Sequence, residues 1–331
     1  MKIIASLTTI PSRINHIQLT LESILNQTIP INAIELNIPY TCKRNQEEYE
    51  IPKWLIALEK NTKNTKCEVK IFRTEDYGAI TKVAPTLIRY RDSGDVYVWS
   101  VDDDIEYPVN MLATLFREYT PHSKYVLWHS AGNWIYKENS LECISYSADR
   151  EEGAHDFIEG FASVLYPAFL IESDFKKYVI ETTEALDCRN SDDIIISNYL
   201  ALKGIKIHNC TYPYSNNHIL LNGRYLKYGF EKDALNKQQG GNLERYLRVF
   251  YWLRDYNLNG WIQNKKINLF KVNNYIYIMD DYNFLDELFD IINEQPFTTS
   301  RFSEFEETIQ LNQQIINNIY NISNNNKYIH C

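Results

Sequence analysis

The chain lacks paired cysteines. Its six cysteines, Cys42, Cys67, Cys143, Cys188, Cys210 and Cys331, stand singly, with no C-x-x-C spacing among them. A thiolate zinc site is therefore without support, and scattered single thiols are the usage of a reducing compartment. No apolar run approaches transmembrane length. The apolar segment before Thr8 is only five residues long, too short for the apolar core of a signal peptide. The expectation is a soluble, cytoplasmic protein. Basic excess is missing too: 34 Lys and Arg face 43 Asp and Glu, for a net charge of −9. That argues against a nucleic-acid partner, whose phosphate backbone needs clustered bases, but not against a small anionic ligand. No internal repeat is evident. The 331 residues are enough for one large domain or two smaller ones. Aromatics are plentiful, with 25 Tyr, 14 Phe and 6 Trp. Most belong in a core, although Tyr and Trp also pair an apolar face with a polar tip in a way that suits sugars.

The stretch that organises the chain is Asp95 to Pro108, D-V-Y-V-W-S-V-D-D-D-I-E-Y-P. Val96, Tyr97, Val98, Trp99 and Val101 have the composition of a buried strand covered on both faces. The run stops at three adjacent carboxylates, Asp102, Asp103 and Asp104, whose mutual repulsion something must offset. Alternate side chains of an extended segment share a face. Asp102 and Asp104 can thus form half a site for a hard divalent cation at the carboxyl end of a strand. The competing reading is a solvated acidic turn.

Upstream, Lys2 to Leu7 predicts a first strand running into T-T-I-P-S-R, Thr8 to Arg13. Pro11 breaks the pattern, and Ser12 or Asn15 can cap a helix with Ile17, Leu21, Ile24 and Leu25 on its buried face. Ile34 to Ile38 predicts a second strand, which makes the opening that of an α/β domain with a parallel sheet. Arg13 is either an anion ligand at the first strand-to-helix turn or a surface arginine. A short helical stretch surrounds Trp54 to Leu58. A third strand, Val69 to Phe72, leads into R-T-E-D-Y-G-A-I-T-K. There Asp76 can accept two hydrogen bonds from a base or ribose, Gly78 permits a tight turn, and Lys82 carries a compact charge suited to phosphate.

Taken in order, T-T-x-P-x-R after strand one, D-Y-G-x-x-T-K, and a buried strand ending in D-D-D resemble the nucleotide-sugar half of GT-A glycosyltransferases of the family 2-like group. Ile80 departs from the more usual Ala, outside the polar positions. The resemblance spans roughly residues 1 to 245. It implies an α/β, Rossmann-like mixed sheet flanked by helices, and a nucleotide-sugar donor. It puts the D-x-D signature on Asp102 and Asp104 as holders of Mn²⁺ or Mg²⁺. It puts Thr8, Pro11, Arg13, Asp76, Gly78, Lys82, Asp102 and Asp103 on the donor side.

In the second half, Tyr125 to His129 predicts a strand. Phe157 to Leu170, with Gly160 and other small residues, corresponds in the GT-A pattern to the acceptor-side strand and loop. The stretch C-R-N-S-D-D-I-I-I-S-N-Y-L-A-L-K-G, from Cys188, predicts a helix capped by Ser191. Its buried face is Ile195, Ile196, Tyr199, Leu200 and Leu202, and Gly204 stops it. Asp192 and Asp193 would offset the helix dipole. The same pattern resembles the catalytic-base helix of inverting GT-A enzymes, which implies that one of the two, Asp193 first, deprotonates an acceptor hydroxyl. His208 or His218 would supply a third metal contact. Residues 211 to 245 correspond to a mobile flap.

Arg245 to Leu253 predicts a helix and Val272 to Met279 a strand. Helical faces run through Phe284 to Ile292 and Phe305 to Tyr320. Residues 246–331 form a C-terminal extension, α-helical or mixed, that could meet a partner protein. The function implied is transfer of a sugar, as from a UDP-sugar, to a hydroxyl of a glycan or glycoconjugate acceptor. The alternatives are a nucleotidyltransferase, a glycoside hydrolase, and a non-catalytic carbohydrate- or calcium-binding protein.

Overall fold

The computed structural model describes residues 1–117, 125–128, 130–137, 140–147, 156–210, 224–225, 235, 241–263, 268–272 and 275–279. The chain divides into two compact units. One holds Met1–Trp134 with Cys143–Asn264, the other Ile135–Glu142 with Lys265–Cys331. In the second, Asn268–Val272 and Tyr275–Met279 pair as an antiparallel hairpin. What the sequence shows as one strand from Val272 is thus the second arm of a hairpin whose first arm ends there. The two later helical faces and His218 lie outside the described residues, as does most of the 211–245 stretch. The expected boundary at 245 falls inside the helix Gly241–Asp255, and the first unit runs on to Asn264.

The first unit is built on a seven-stranded sheet. Across it the strands run Lys206–Asn209, Tyr125–Trp128, Val164–Pro167, Val96–Ser100, Lys2–Leu7, Ala33–Pro39 and Glu68–Thr74. Val164–Pro167 is antiparallel to both its neighbours, and the other pairings are parallel. This is the α/β, Rossmann-like mixed sheet flanked by helices that the sequence predicts. The chain leaves Lys2–Leu7 toward Ala33–Pro39 and Glu68–Thr74, then returns to Val96–Ser100 on its other side. The order reverses there, and a crevice opens at the carboxyl ends of strands on either side of such a switch point.

The two faces of the sheet differ, because residues in register across a sheet share a face and successive residues alternate. Ala5, Leu7, Ile34, Leu36, Trp99 and Leu165 lie in one apolar core with Ile17, Leu21 and Ile24, Leu55, and Met111, Leu112 and Leu115. The helices Gln18–Leu25, Lys53–Thr62 and Met111–Arg117 thus cover that face. Each leucine, isoleucine or methionine of that core contributes roughly 1.5–3 kcal/mol when fully buried. Of the predicted face of the first helix, Leu25 is exposed instead, and Ile17, not Ser12 or Asn15, stands at the cap.

The opposite face is polar at its centre. Ser6, Glu35 and Asn37 point toward the helix Ala84–Tyr90, and all three are buried. Ser6 Oγ donates to the Lys82 carbonyl at 2.6 Å and lies 2.8 Å from Thr86 Oγ1. Arg89 donates twice to Glu35 Oε2, at 3.0 and 3.1 Å, and Tyr90 donates to Glu35 Oε1 at 2.7 Å. A buried carboxylate without such partners would be costly. The network fixes the backbone carbonyl of Lys82 against the first strand.

Candidate functional site

The parallel strands Lys2–Leu7, Glu68–Thr74 and Val96–Ser100 end at one edge of the sheet, so the segments after them meet there. Val96–Ser100 is buried throughout, as its composition predicts. Asp102 and Asp104, just beyond it, are partly exposed, and Asp103 is buried. Arg13 Nη1 lies 3.1 Å from Asp103 Oδ1 and 3.1 Å from Asp104 Oδ2. Thr9 Oγ1 donates to Asp103 Oδ2 at 2.6 Å, and Thr20 Oγ1 to the Asp103 carbonyl at 2.9 Å. Asp103 therefore ties the strand-one turn to the acidic segment, with its carboxylate turned inward. Of the threonine pair it is Thr9 that reaches the acids, while Thr8 Oγ1 donates to the Asn37 carbonyl at 2.6 Å. Pro11 lies half-buried in the turn between them.

Lys82 joins the acidic segment to the helix Asp192–Leu202. Its ammonium lies 2.8 Å from Asp102 Oδ1 and 2.6 Å from Asp192 Oδ2. Burial works against that charge, but Asp102, Asp192 and Asp193 outweigh it and hold the lysine well above its ordinary value. Three segments separated in sequence, at 82, 102 and 192, thus converge on one ammonium. Asp76 ties its own loop to the turn at Lys43: Oδ2 accepts from the Lys43 N–H and Oδ1 from the Gly78 N–H, both at 2.6 Å. Gly78 has φ +77°, and a Cβ there would overlap the side chain and carbonyl of Arg189, so glycine is required twice over.

The helix Asp192–Leu202 is buried nearly all round, from Ile194 to Ala201, as an apolar helix inside a layered fold must be. Gly204, at φ +63°, closes it: its N–H bonds to the Ala201 carbonyl and that of Ile205 to Leu200, the pairing of a Schellman stop. Ser191 occupies the cap position but makes no capping bond. Its hydroxyl instead accepts from Arg245 Nε at 3.0 Å. Asp193 Oδ1 accepts from the Gly160 N–H at 2.6 Å. Its other oxygen accepts from the Tyr246 hydroxyl. Burial, with Asp192 adding to it, pushes the Asp193 carboxyl up to about 7, against the pull of Lys82.

His208 does not join this group. It is exposed on the edge strand Lys206–Asn209, its ring 5.6 Å from that of Tyr125. It is in register with Leu127, and through Leu165 with Trp99, so it lies on the apolar-core face, opposite Ser100. Three strand spacings, about 14 Å, separate its strand from Val96–Ser100. Tyr246, Arg245, Thr9 and Gly160 complete the cluster. Thr9 belongs to the T-T-I-P-S-R turn and Gly160 stands out as a glycine inside an apolar run; Tyr246 and Arg245 carry no such local signal.

Five carboxylates, Asp102, Asp103, Asp104, Asp192 and Asp193, share two cations, Arg13 and Lys82. Burial, with Asp103 and Asp102 adding to it, pushes Asp104 up to about 7. Asp102 Oδ2 and Asp104 Oδ1 have no hydrogen-bond or ion-pair partner among the described residues. Among those residues no group of three His, Cys, Asp or Glu side chains is arranged around a metal position. Free carboxylate oxygens are the donor type that hard cations take.

No protein-family profile and no curated protein sequence matches the chain. Among solved structures it is similar to one described as a glucose-1-phosphate thymidylyltransferase from Bacillus anthracis in complex with a sucrose. That similarity has 13% identity over 63% of this chain and 85% of that one, with a TM-score of 0.34. Among the described residues no helix is long and apolar enough to cross a membrane.

Proposed function

We propose that the chain is a metal-dependent, inverting glycosyltransferase of the GT-A type, moving a sugar from a nucleotide-sugar donor, a UDP-sugar first, to an acceptor hydroxyl. The observation that carries this reading is the Lys82 bridge. It brings the segment resembling the donor-binding motif, Asp102 of the D-x-D, and the acidic start of the base helix to one point at the switch-point edge of the sheet.

Asp102 and Asp104 would hold Mn²⁺ or Mg²⁺, which supplies charge stabilisation to a departing diphosphate. Arg13 and Lys82 add fixed positive charge beside it. Asp192 is held by Lys82, whereas Asp193 is raised to about 7, and a base works best when its pKa lies near the operating pH. That supports Asp193 as the base. The Gly160 N–H on its other side keeps the backbone close to where an acceptor would approach. Asp76, Gly78, Thr8 and Pro11 shape the donor end, with Asp76 fixing the loop that would meet the nucleoside.

The test is a pair of assays on the full chain. Incubation with a panel of UDP-sugars and Mn²⁺ should release UDP, and Asp102→Asn should abolish that release. Pyrophosphate released from a nucleoside triphosphate and a sugar 1-phosphate, without UDP release in the first assay, would show a nucleotidyltransferase instead.

A further inference from the structure

We propose that Tyr246 is a positioning residue for Asp193, so that the helix Gly241–Asp255 belongs to the catalytic apparatus rather than to an appended segment. Two consecutive residues of that helix clasp the start of the base helix. Arg245 donates to Ser191 Oγ at 3.0 Å, and also to Asn242 Oδ1 and the Leu235 carbonyl at 2.7 and 3.0 Å. Tyr246 donates its phenol to Asp193 Oδ2. Both side chains are buried, and the Tyr246 ring is held edge-on against Phe157, centroids 5.6 Å apart. A phenol with so little freedom fixes the carboxylate plane. With the Gly160 N–H on Oδ1, it leaves one lone pair on each oxygen for a substrate proton.

The bond also acts on ionisation. A hydroxyl donating to a carboxylate favours its charged form. Burial and Asp192 raise Asp193, while Tyr246, Lys82 and Gly160 pull it down. Around it also stand Tyr166, which feels Lys82, Asp192 and Asp193, and Glu159, which acts on Tyr246. As a statement about catalysis the inference rests on Asp193 as the general base. As a statement about the carboxylate it does not, and the experiment separates the two.

The carboxyl carbon of Asp193 is followed by carbon-13 NMR titration in the full chain, in Tyr246→Phe, and with 3-fluorotyrosine at position 246. The phenylalanine keeps the ring packing and removes only the hydroxyl. Asp193 should titrate about one pH unit higher in Tyr246→Phe and lower than the parent with the more acidic fluorophenol. UDP release from the best UDP-sugar should fall about tenfold in kcat at pH 6, where the ionised fraction falls tenfold, with donor KM unchanged and the deficit shrinking above pH 8. An Asp193 titration that stays in place in both variants overturns the proposal, whatever the activity. If it shifts as expected while no variant releases UDP, the positioning of the carboxylate stands and the glycosyltransferase reading fails. Should Tyr246→Phe not fold, the fluorotyrosine chain decides, since it changes acidity and almost no volume.

Discussion

At Asp193 two demands oppose each other. The residue opens a helix, where a carboxylate near the dipole's positive end contributes about 0.3–1 kcal/mol, yet burial lifts it to about 7, above the ~3.9 of an unfolded aspartate. Between those values the folded chain binds more protons than the unfolded one. The contribution of this group to stability is therefore present at low pH and is lost as pH rises from about 4 through about 7. Asp193→Asn should melt with the parent near pH 4, melt above it at pH 8, and lose transfer by about 10²–10⁴-fold. Melting curves at the two pH values and UDP release at pH 8 check this. Parent-like turnover would move the base to Asp192. The aspartate pair, the D-D-D and Lys82 were legible in sequence because each belongs to a local pattern of spacing and charge. That Lys82 ties two of them together was not, because an ion pair across 110 residues leaves no periodic trace.

Two glycines show how elements position the site differently. Gly78 sits at φ +77° with Arg189 against it, so an added Cβ meets backbone that cannot yield. At Gly160 an added Cβ would lie 2.9 Å from Lys82 Nζ and 3.0 Å from Asp193 Oδ1, both ends of side chains. Gly78→Ala should therefore cost about 1–3 kcal/mol of stability. Gly160→Ala should fold with little change in Tm and lose about 10²-fold in turnover, the effect of moving a reacting group by about 1 Å. Differential scanning calorimetry beside the UDP assay checks both, and equal thermal losses would place Gly160 among merely structural glycines. Elements were readable where an apolar run or helical spacing is bounded by charges or turn residues: Val96–Ser100, Gln18–Leu25 and Asp192–Leu202 all appear near their predicted bounds. The Gly241–Asp255 helix was readable as a helix, but not as one that faces Asp193, because amphipathic spacing gives the buried face and not its neighbour. Glu35 gave no signal either, since its burial depends on Arg89 and Tyr90, more than fifty residues away.

On the scale of the molecule, the sheet separates folding from chemistry. One face carries the apolar core, and the other carries a polar seam that runs from Glu35 through Thr86 and Ser6 to Lys82. The seam ends at a cluster with three more acidic side chains than basic ones, counting Asp102, Asp103, Asp104, Asp192 and Asp193 against Arg13 and Lys82. Such an excess destabilises the folded chain and favours whatever cation enters. Mn²⁺ that binds only the folded state should add about 2.7 kcal/mol at 100 times its Kd, which for a chain of this size raises Tm by about 4 °C. Asp104→Asn should raise the Tm of the metal-free protein slightly by relieving the repulsion that lifts its carboxyl, and both it and Asp102→Asn should abolish the Mn²⁺ increment with UDP present. The two effects have opposite signs, so a variant that merely damages the fold cannot imitate the pattern. Thermal shift with and without Mn²⁺ and UDP measures both. A full Mn²⁺ increment retained in Asp104→Asn would mean that the cation is held by other carboxylates, and that the free oxygen of Asp104 serves only to repel.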